Sequence, residues 1–231
     1  MKTALITGSS RGIGLQIGTD LLNSGYFVHF NGRNLIPLNL NSSEWNFIQA
    51  DMSKIESVTT IQKLLEDCHE NLDVLILNAG MTDRTPFGLI DWNKWNDVFS
   101  MSLTIPFFLV QALKDKIKPN GKIIFISSIL GIVSDGSSIS YGVSRAAINM
   151  LVPHLAKEFA NKKITVNAIA PGFVDTDWHK SKSKEQIKRI TKKILSNRFA
   201  TTKEISKVAL SIINNDYING QIIRIDGGYG L

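Results

Sequence analysis

The sequence holds a single cysteine, Cys68, so no internal disulfide can form and a disulfide-stapled scaffold is excluded. Proline is scarce, at 6 residues, and no glycine or proline repeat occurs, which excludes fibrous and low-complexity classes. Long apolar runs are missing as well. Ile105 to Val110 and Ile123 to Ile126, among the longest, fall far short of the roughly 20 residues a spanning helix needs, so no membrane segment is expected. The opening, Met1-Lys2-Thr3-Ala4-Leu5-Ile6-Thr7-Gly8, lacks the apolar core of a secretion signal, and a cytoplasmic protein is expected. Metal-ligand spacing is absent too. His29, His69 and His154 stand in separate segments, and Asp177, His179 and Glu185 do not repeat at coordinating intervals, so no metal site is expected.

What is present is 43% hydrophobic residues in a chain of 231, enough for one sizeable core, and an excess of base over acid of formal charge +6. Seven basic side chains between Lys180 and Lys193, against Glu185, account for that whole excess. The basicity is one patch rather than the diffuse positive surface of a nucleic-acid binder, and no nucleic acid is expected as partner.

Short apolar runs alternate with segments of helical period. Strands are expected at Ala4 to Ile6, Tyr26 to Phe30, Phe47 to Ala50, Val74 to Leu77, Lys122 to Ile126, Thr165 to Ile169 and Gln221 to Ile225. Helices are expected at Ile13 to Leu22, Ile55 to Leu65, Trp95 to Leu113, Tyr141 to Phe159 and Glu204 to Ile213, with Pro153 predicted to kink the fourth. The alternation predicts a doubly wound α/β domain with a seven-stranded parallel sheet flanked by helices, and ligands at the carboxyl ends of the strands. The only linker-like stretch, Asn34 to Ser43, is short, so one domain spanning 1–231 is expected.

Between the first strand and helix lies Thr7-Gly8-Ser9-Ser10-Arg11-Gly12-Ile13-Gly14, whose glycines would let backbone turn tightly and approach a pyrophosphate at the helix N-terminus. Gly8, Ser10, Arg11, Gly12, Ile13 and Gly14 are therefore candidates to bind a dinucleotide; a plain strand-to-helix turn is the competing reading. About 20 residues on, an NAD site would place an acid for the ribose hydroxyls, whereas this chain reads Phe30-Asn31-Gly32-Arg33-Asn34. Arg33 with Arg11 could hold a 2′-phosphate, which favours NADP(H).

These features resemble the short-chain dehydrogenase/reductase family over essentially the whole chain. Thr7 to Gly14 resembles its glycine-rich turn, Asn78-Ala79-Gly80 its motif after the fourth strand, and Ser128 precedes Tyr141 by the family's spacing of 13. Pro171-Gly172, Val174 and Thr176 resemble the segment that closes over the nicotinamide, and Asn219-Gly220 with Asp226-Gly227-Gly228 the C-terminal strand and turn. Within the family, Arg11-Gly12-Ile13-Gly14, Trp95-Asn96-Asp97 and Ala170-Pro171-Gly172-Phe173 are most similar to 3-oxoacyl-(acyl carrier protein) reductases. The resemblance implies a Rossmann domain and carbonyl reduction by hydride transfer. It implies cofactor contacts from Asp51 and Met52 near adenine, from Asn78, Ala79 and Gly80, and from Tyr141 and Arg145. It also implies a substrate lid at about 173–200 and pairing through the long helices into a homo-dimer or homo-tetramer.

A reductase needs an acid at the carbonyl oxygen and a second donor to polarise it, roles the resemblance gives to Tyr141 and Ser128. Two positions depart from the family. Its YxxxK reads Tyr141-Gly142-Val143-Ser144-Arg145, and Ser102 stands where the family has an Asn at a helix kink that holds a water leading to the Lys. Arginine keeps the charge but passes a proton poorly, so both changes strike the proton route. A working reductase is expected, with a cofactor-binding relative of little turnover as the alternative. The basic run would steer an anionic or carrier-bound carbonyl substrate, with Lys184, Lys188 and Lys192 as test positions; simple solubility is the other use of such lysines.

Overall fold

The computed structural model describes residues 1–34, 44–134 and 138–231. The linker-like stretch, apart from Asn34, lies outside them. Strands and helices follow one another as β1 (Lys2–Ile6), α1 (Gly12–Leu22), β2 (Tyr26–Gly32), β3 (Trp45–Gln49), α2 (Glu56–Asp67), β4 (Leu72–Leu77) and α3 (Trp92–Phe99). Then come α4 (Ile105–Ala112), β5 (Ile117–Ile126), α5 (Ile139–Glu158), β6 (Thr165–Pro171), α6 (Lys184–Thr191), α7 (Thr202–Ile213) and β7 (Ile222–Ile225).

The seven strands form one parallel sheet in the order β3-β2-β1-β4-β5-β6-β7, the doubly wound topology the alternation predicts. Continuous apolar runs suit strands covered on both faces, and period-2 geometry sends alternate residues to opposite layers. Leu5, Leu75, Leu77, Ile123 and Phe125 pack with α2, α4 and α5 through Ile61, Leu109 and Val152. Ala4, Ile6, Val74, Ile76, Ile124 and Ile126 pack with α1 and α7 through Ile17, Leu21, Ile205 and Ile212. Buried Asp20 cross-links the latter two helices, accepting from Lys203 Nζ and Ser206 Oγ at 2.6 Å each. The strand order reverses direction between β1 and β4, and the crevice above their carboxyl ends is where such sheets bind ligands.

One helical expectation is corrected. The run from Trp95 to Leu113 is not one helix: α3 and α4 are separated by a π turn, Ser100–Thr104. The cause is local, because Pro106 has no N–H to give the Ser102 carbonyl the bond an α-helix requires. Helix α5, by contrast, runs through Pro153 as a single element of 20 residues, so the proline does not interrupt it.

Candidate functional site

The turn after β1 is stitched to its neighbours by hydrogen bonds within the chain. Gly8 has φ +60°, and a Cβ there would lie 2.8 Å from Ala79 Cα, so both conformation and space require glycine. Gly8 N donates to Asn31 Oδ1 at 3.1 Å, while Asn31 Nδ2 donates to the Ile48 and Ala50 carbonyls, tying β1, β2 and β3 together. On the other flank Asn78 and Ala79 amides donate to Thr7 Oγ1, and Asn78 Nδ2 donates to the Thr7 and Gly8 carbonyls at 3.0 and 2.8 Å. The sequence reading missed Asn31, whose signal is a polar residue ending an apolar strand.

Above this turn opens a cleft of about 610 Å³. Gly8, Ser10, Arg11, Gly12, Ile13 and Arg33 line one end, with Met52, Asn78, Ala79 and Gly80 beside them. Ser128, Tyr141 and Arg145 stand mid-cleft, and Pro171, Gly172, Val174 and Thr176 form the facing wall. Three expected residues do not line it. Gly14 packs beneath, where a Cβ would meet Asn78 Nδ2 at 2.5 Å. Asp51 turns its carboxylate to Ser53, whose N and Oγ donate to Oδ1 at 3.0 and 2.8 Å, while neighbouring Ala50 and Met52 reach the cleft. Burial pushes Asp51 up, but those bonds and the charges of Arg33 and Lys54 outweigh it and hold the carboxyl below its usual range. Ser102 is buried in the π turn, next to Met101, which does line the cleft.

Tyr141 and Arg145 sit one turn apart on α5, hence on one face. The Arg145 guanidinium carbon lies 4.7 Å from the Tyr141 ring centroid, a cation–π contact, and Nη1 donates to the Ile126 carbonyl at 3.2 Å. A Cβ on Gly80 would meet Arg145 Nη2 at 2.1 Å, so the arginine fork fills the space above Gly80. Ser128 Oγ accepts from Leu130 N at 3.2 Å. Among the described residues neither Arg145 Nε nor Ser102 Oγ has a hydrogen-bond partner, although both are buried. Such groups cost about 1–3 kcal/mol each when unmet, which marks the space beside them as polar by requirement.

The far end of the cleft holds residues that spacing did not reveal. Trp178 lies with its ring centroid 6.0 Å from that of Tyr141. His179 packs among Phe173 and Phe199, with ring centroids 5.5 and 5.2 Å away. Burial first, then the charges of Lys182 and Arg84, lowers it to about 4. Of the basic run, Lys182, Arg189 and Lys193 line the cleft, and Lys184, Lys188 and Lys192 do not. Helix α6 starts at a capping box of Ser183 and Gln186, and that start fixes which of its faces meets the cleft. Among the described residues no group of three or more His, Cys, Asp or Glu is gathered for a metal, and no helix is long and apolar enough to cross a membrane.

Against this geometry, known proteins can be compared. The 3-oxoacyl-(acyl-carrier-protein) reductase FabG of Buchnera aphidicola subsp. Schizaphis graminum is 32% identical over 238 residues, 98% of this chain and 96% of the relative. The Escherichia coli reductase of the same name is 31% identical over 238 residues, with the same coverage. The structure of Pseudomonas aeruginosa RhlG with NADP superposes with a TM-score of 0.90 at 27% identity, covering 100% of this chain and 96% of the other. The family model for short chain dehydrogenases matches residues 2–187. Matching a family model over most of its length, and oxidoreductases of that family over nearly all of it, the chain belongs to the short chain dehydrogenase family.

Proposed function

We propose that the chain is an NADP(H)-dependent reductase that converts a carbonyl, of which a 3-oxoacyl thioester is one candidate, to an alcohol. One observation carries the reading: Ser128, Tyr141 and Arg145 face the same cleft as the glycine-rich turn and its two arginines. The residues present fit a dinucleotide, because α1 begins at the cleft with no side chain capping its first N–H groups, a helix N-terminus suited to phosphate. Gly8, Ser10, Arg11, Gly12 and Ile13 would hold the pyrophosphate end, Arg33 with Arg11 the 2′-phosphate, and Asn78 to Gly80, Pro171, Gly172, Val174 and Thr176 the nicotinamide half. NADP is favoured because β2 ends in Gly32 followed by Arg33, with no acid to receive ribose hydroxyls.

A bound dihydronicotinamide supplies the hydride. Ser128 Oγ donates to the substrate oxygen, and Tyr141 gives its proton to the alkoxide as the charge develops. Arg145 keeps a permanent positive charge against the Tyr141 ring and offsets the negative charge left there. Reprotonation then runs past Ser102 Oγ, a buried hydroxyl with a hydrogen bond to give, because Arg145 passes a proton poorly. Residues 173–200 act as the substrate lid of a single 1–231 domain. Exposed Phe108, Val143 and Met150 on α4 and α5 suit pairing into a homo-dimer or homo-tetramer, and the protein works in the cytoplasm.

The test is fluorescence titration with NADPH, followed by its oxidation with acetoacetyl-coenzyme A and a panel of diketones. Turnover is expected, and Tyr141→Phe is expected to lower kcat by about 10²–10⁴ with NADPH still bound. NADPH binding without turnover on any carbonyl would instead mean a cofactor-binding relative.

A further inference from the structure

Among the described residues, the charged side chains that line the cleft are Arg11, Arg33, Arg84, Arg145, Lys182, Arg189 and Lys193, against the carboxylate of Asp177. That carboxylate is already paired, with Lys180 Nζ at 2.6 Å. Arg11 and Arg33 stand at the phosphate end and Arg145 against Tyr141. Arg84, Lys182, Arg189 and Lys193 also line the cleft, and no part of the cofactor reading uses them.

We propose that these four cations form an anion clamp inside the cleft, and that the substrate is a ketone carrying its own carboxylate or phosphate. The inference rests on the reductase reading and specifies its substrate class. The clamp has a fixed side and a second side supplied by the segment that follows β6. Arg84 belongs to the fixed side: Thr82 Oγ1 donates to Ser138 Oγ at 3.0 Å, Ser138 Oγ donates to the Asp83 carbonyl, and Thr85 N and Oγ1 donate to Asp83 Oδ1 at 3.1 and 2.7 Å. This network anchors the Arg84 loop to the start of α5, three residues before Tyr141. The other side brings Lys182 together with Arg189 near the end of α6 and Lys193 in the turn that follows, where Lys193 N donates to the Ile190 carbonyl at 2.9 Å. The two sides meet at His179, whose proton affinity is lowered by burial and then by the charges of Lys182 and Arg84. An anionic group seated there relieves the repulsion among the cations and draws the two sides together, placing the ketone toward Ser128 and Tyr141. Ile190, Leu130 and Trp178 supply apolar wall between the clamp and the tyrosine.

The experiment compares NADPH oxidation with acetoacetate, acetoacetyl-coenzyme A and neutral 2,4-pentanedione at low ionic strength. Tryptophan fluorescence titrated with acetoacetate reads binding without turnover. Arg84→Gln and Lys193→Gln are each expected to raise KM for the anionic ketones about tenfold, with kcat changed far less, and to weaken the fluorescence titration equally. Lys188→Gln removes the same charge from α6 outside the cleft and is expected to leave KM unchanged. Loss confined to acetoacetate assigns a carboxylate to the clamp; loss confined to the thioester assigns its phosphates. The proposal is overturned if 2,4-pentanedione rivals the anionic ketones in kcat/KM, or if Lys188→Gln costs as much as Lys193→Gln. Should no carbonyl be reduced, the reductase reading fails, while the fluorescence titration still reports on the clamp.

Discussion

The two ends of the cleft are built on different principles. The phosphate end is made of backbone, glycines and short amides, closed by hydrogen bonds among Thr7, Gly8, Asn31 and Asn78. The substrate end is made of long side chains, Arg84, Trp178, Lys182, Arg189 and Lys193, on segments joined by aromatic packing around Phe173. A cradle of backbone accepts one ligand shape and tolerates little change. A wall of long side chains can be re-specified without moving the sheet, so specificity can vary where the chemistry does not.

Arg145 stands at the junction of these two regions, and the largest effect is expected there. Gly80→Ala would place a methyl 2.1 Å from Arg145 Nη2. The fork must then leave Tyr141, while the sheet beneath is untouched. We expect kcat to fall about 10- to 100-fold and stability by only about 1 kcal/mol, since the displaced atom ends a flexible side chain. Lysine has no fork, so the double variant Gly80→Ala, Arg145→Lys should recover part of the loss, a coupling that a double-mutant cycle measures directly. Additive losses would show that Gly80 and Arg145 act separately, and the junction would belong to the phosphate end alone.

A comparable effect should separate the ends chemically. Arg33→Glu puts an acid where the 2′-phosphate would lie and is expected to raise the Kd for NADPH about 100-fold while leaving that for NADH within a few-fold. Catalysis by Ser128 and Tyr141 with NADH should then persist. Equal weakening of both cofactors would mean that Arg33 supports the turn and does not read the phosphate.

The same division decides what was legible from residues alone. Gly8 to Gly14 announces itself because a glycine-rich strand-to-helix turn is a function of sequence interval, whereas Asn78 to Gly80, Ser128 and Tyr141 were legible only through the family resemblance. The sheet was legible from interval too, its strands being apolar runs between helical periods. The π turn at Ser100–Thr104 was not, although Pro106 signals it, because periodicity runs smoothly through Trp95 to Leu113. Arg84 and Asn31 left weaker marks still. Their roles come from partners 56 and 23 residues away along the chain, as Thr82 meets Ser138 and Gly8 meets Asn31, distances no local pattern encodes. On α6 the run of lysines was evident, but which of them face the cleft is set by where the capping box starts the helix.

The smallest expected effect distinguishes the ends by pH. His179 lies among Phe173 and Phe199 with its affinity for a proton lowered from 6.5 to about 4. Once that packing opens, the imidazole takes up a proton at its ordinary pKa, so below pH 6.5 the opened segment binds more protons than the packed one. Stability of the packed segment is therefore complete above about pH 6.5, declines as pH falls, and levels off below about 4. Its partly exposed edge limits the loss to about 1–2 kcal/mol of local opening. Hydrogen exchange across residues 173–200, corrected for intrinsic rates, should show protection falling between pH 7 and pH 5. The turn at Thr7 to Gly14 should stay protected, since nearby Asp51, held below its usual range, remains ionised throughout that window. His179→Phe keeps the aromatic packing and removes the titrating group, so it should abolish the pH dependence. If protection in the variant still falls with pH, a group other than His179 controls the opening of this segment.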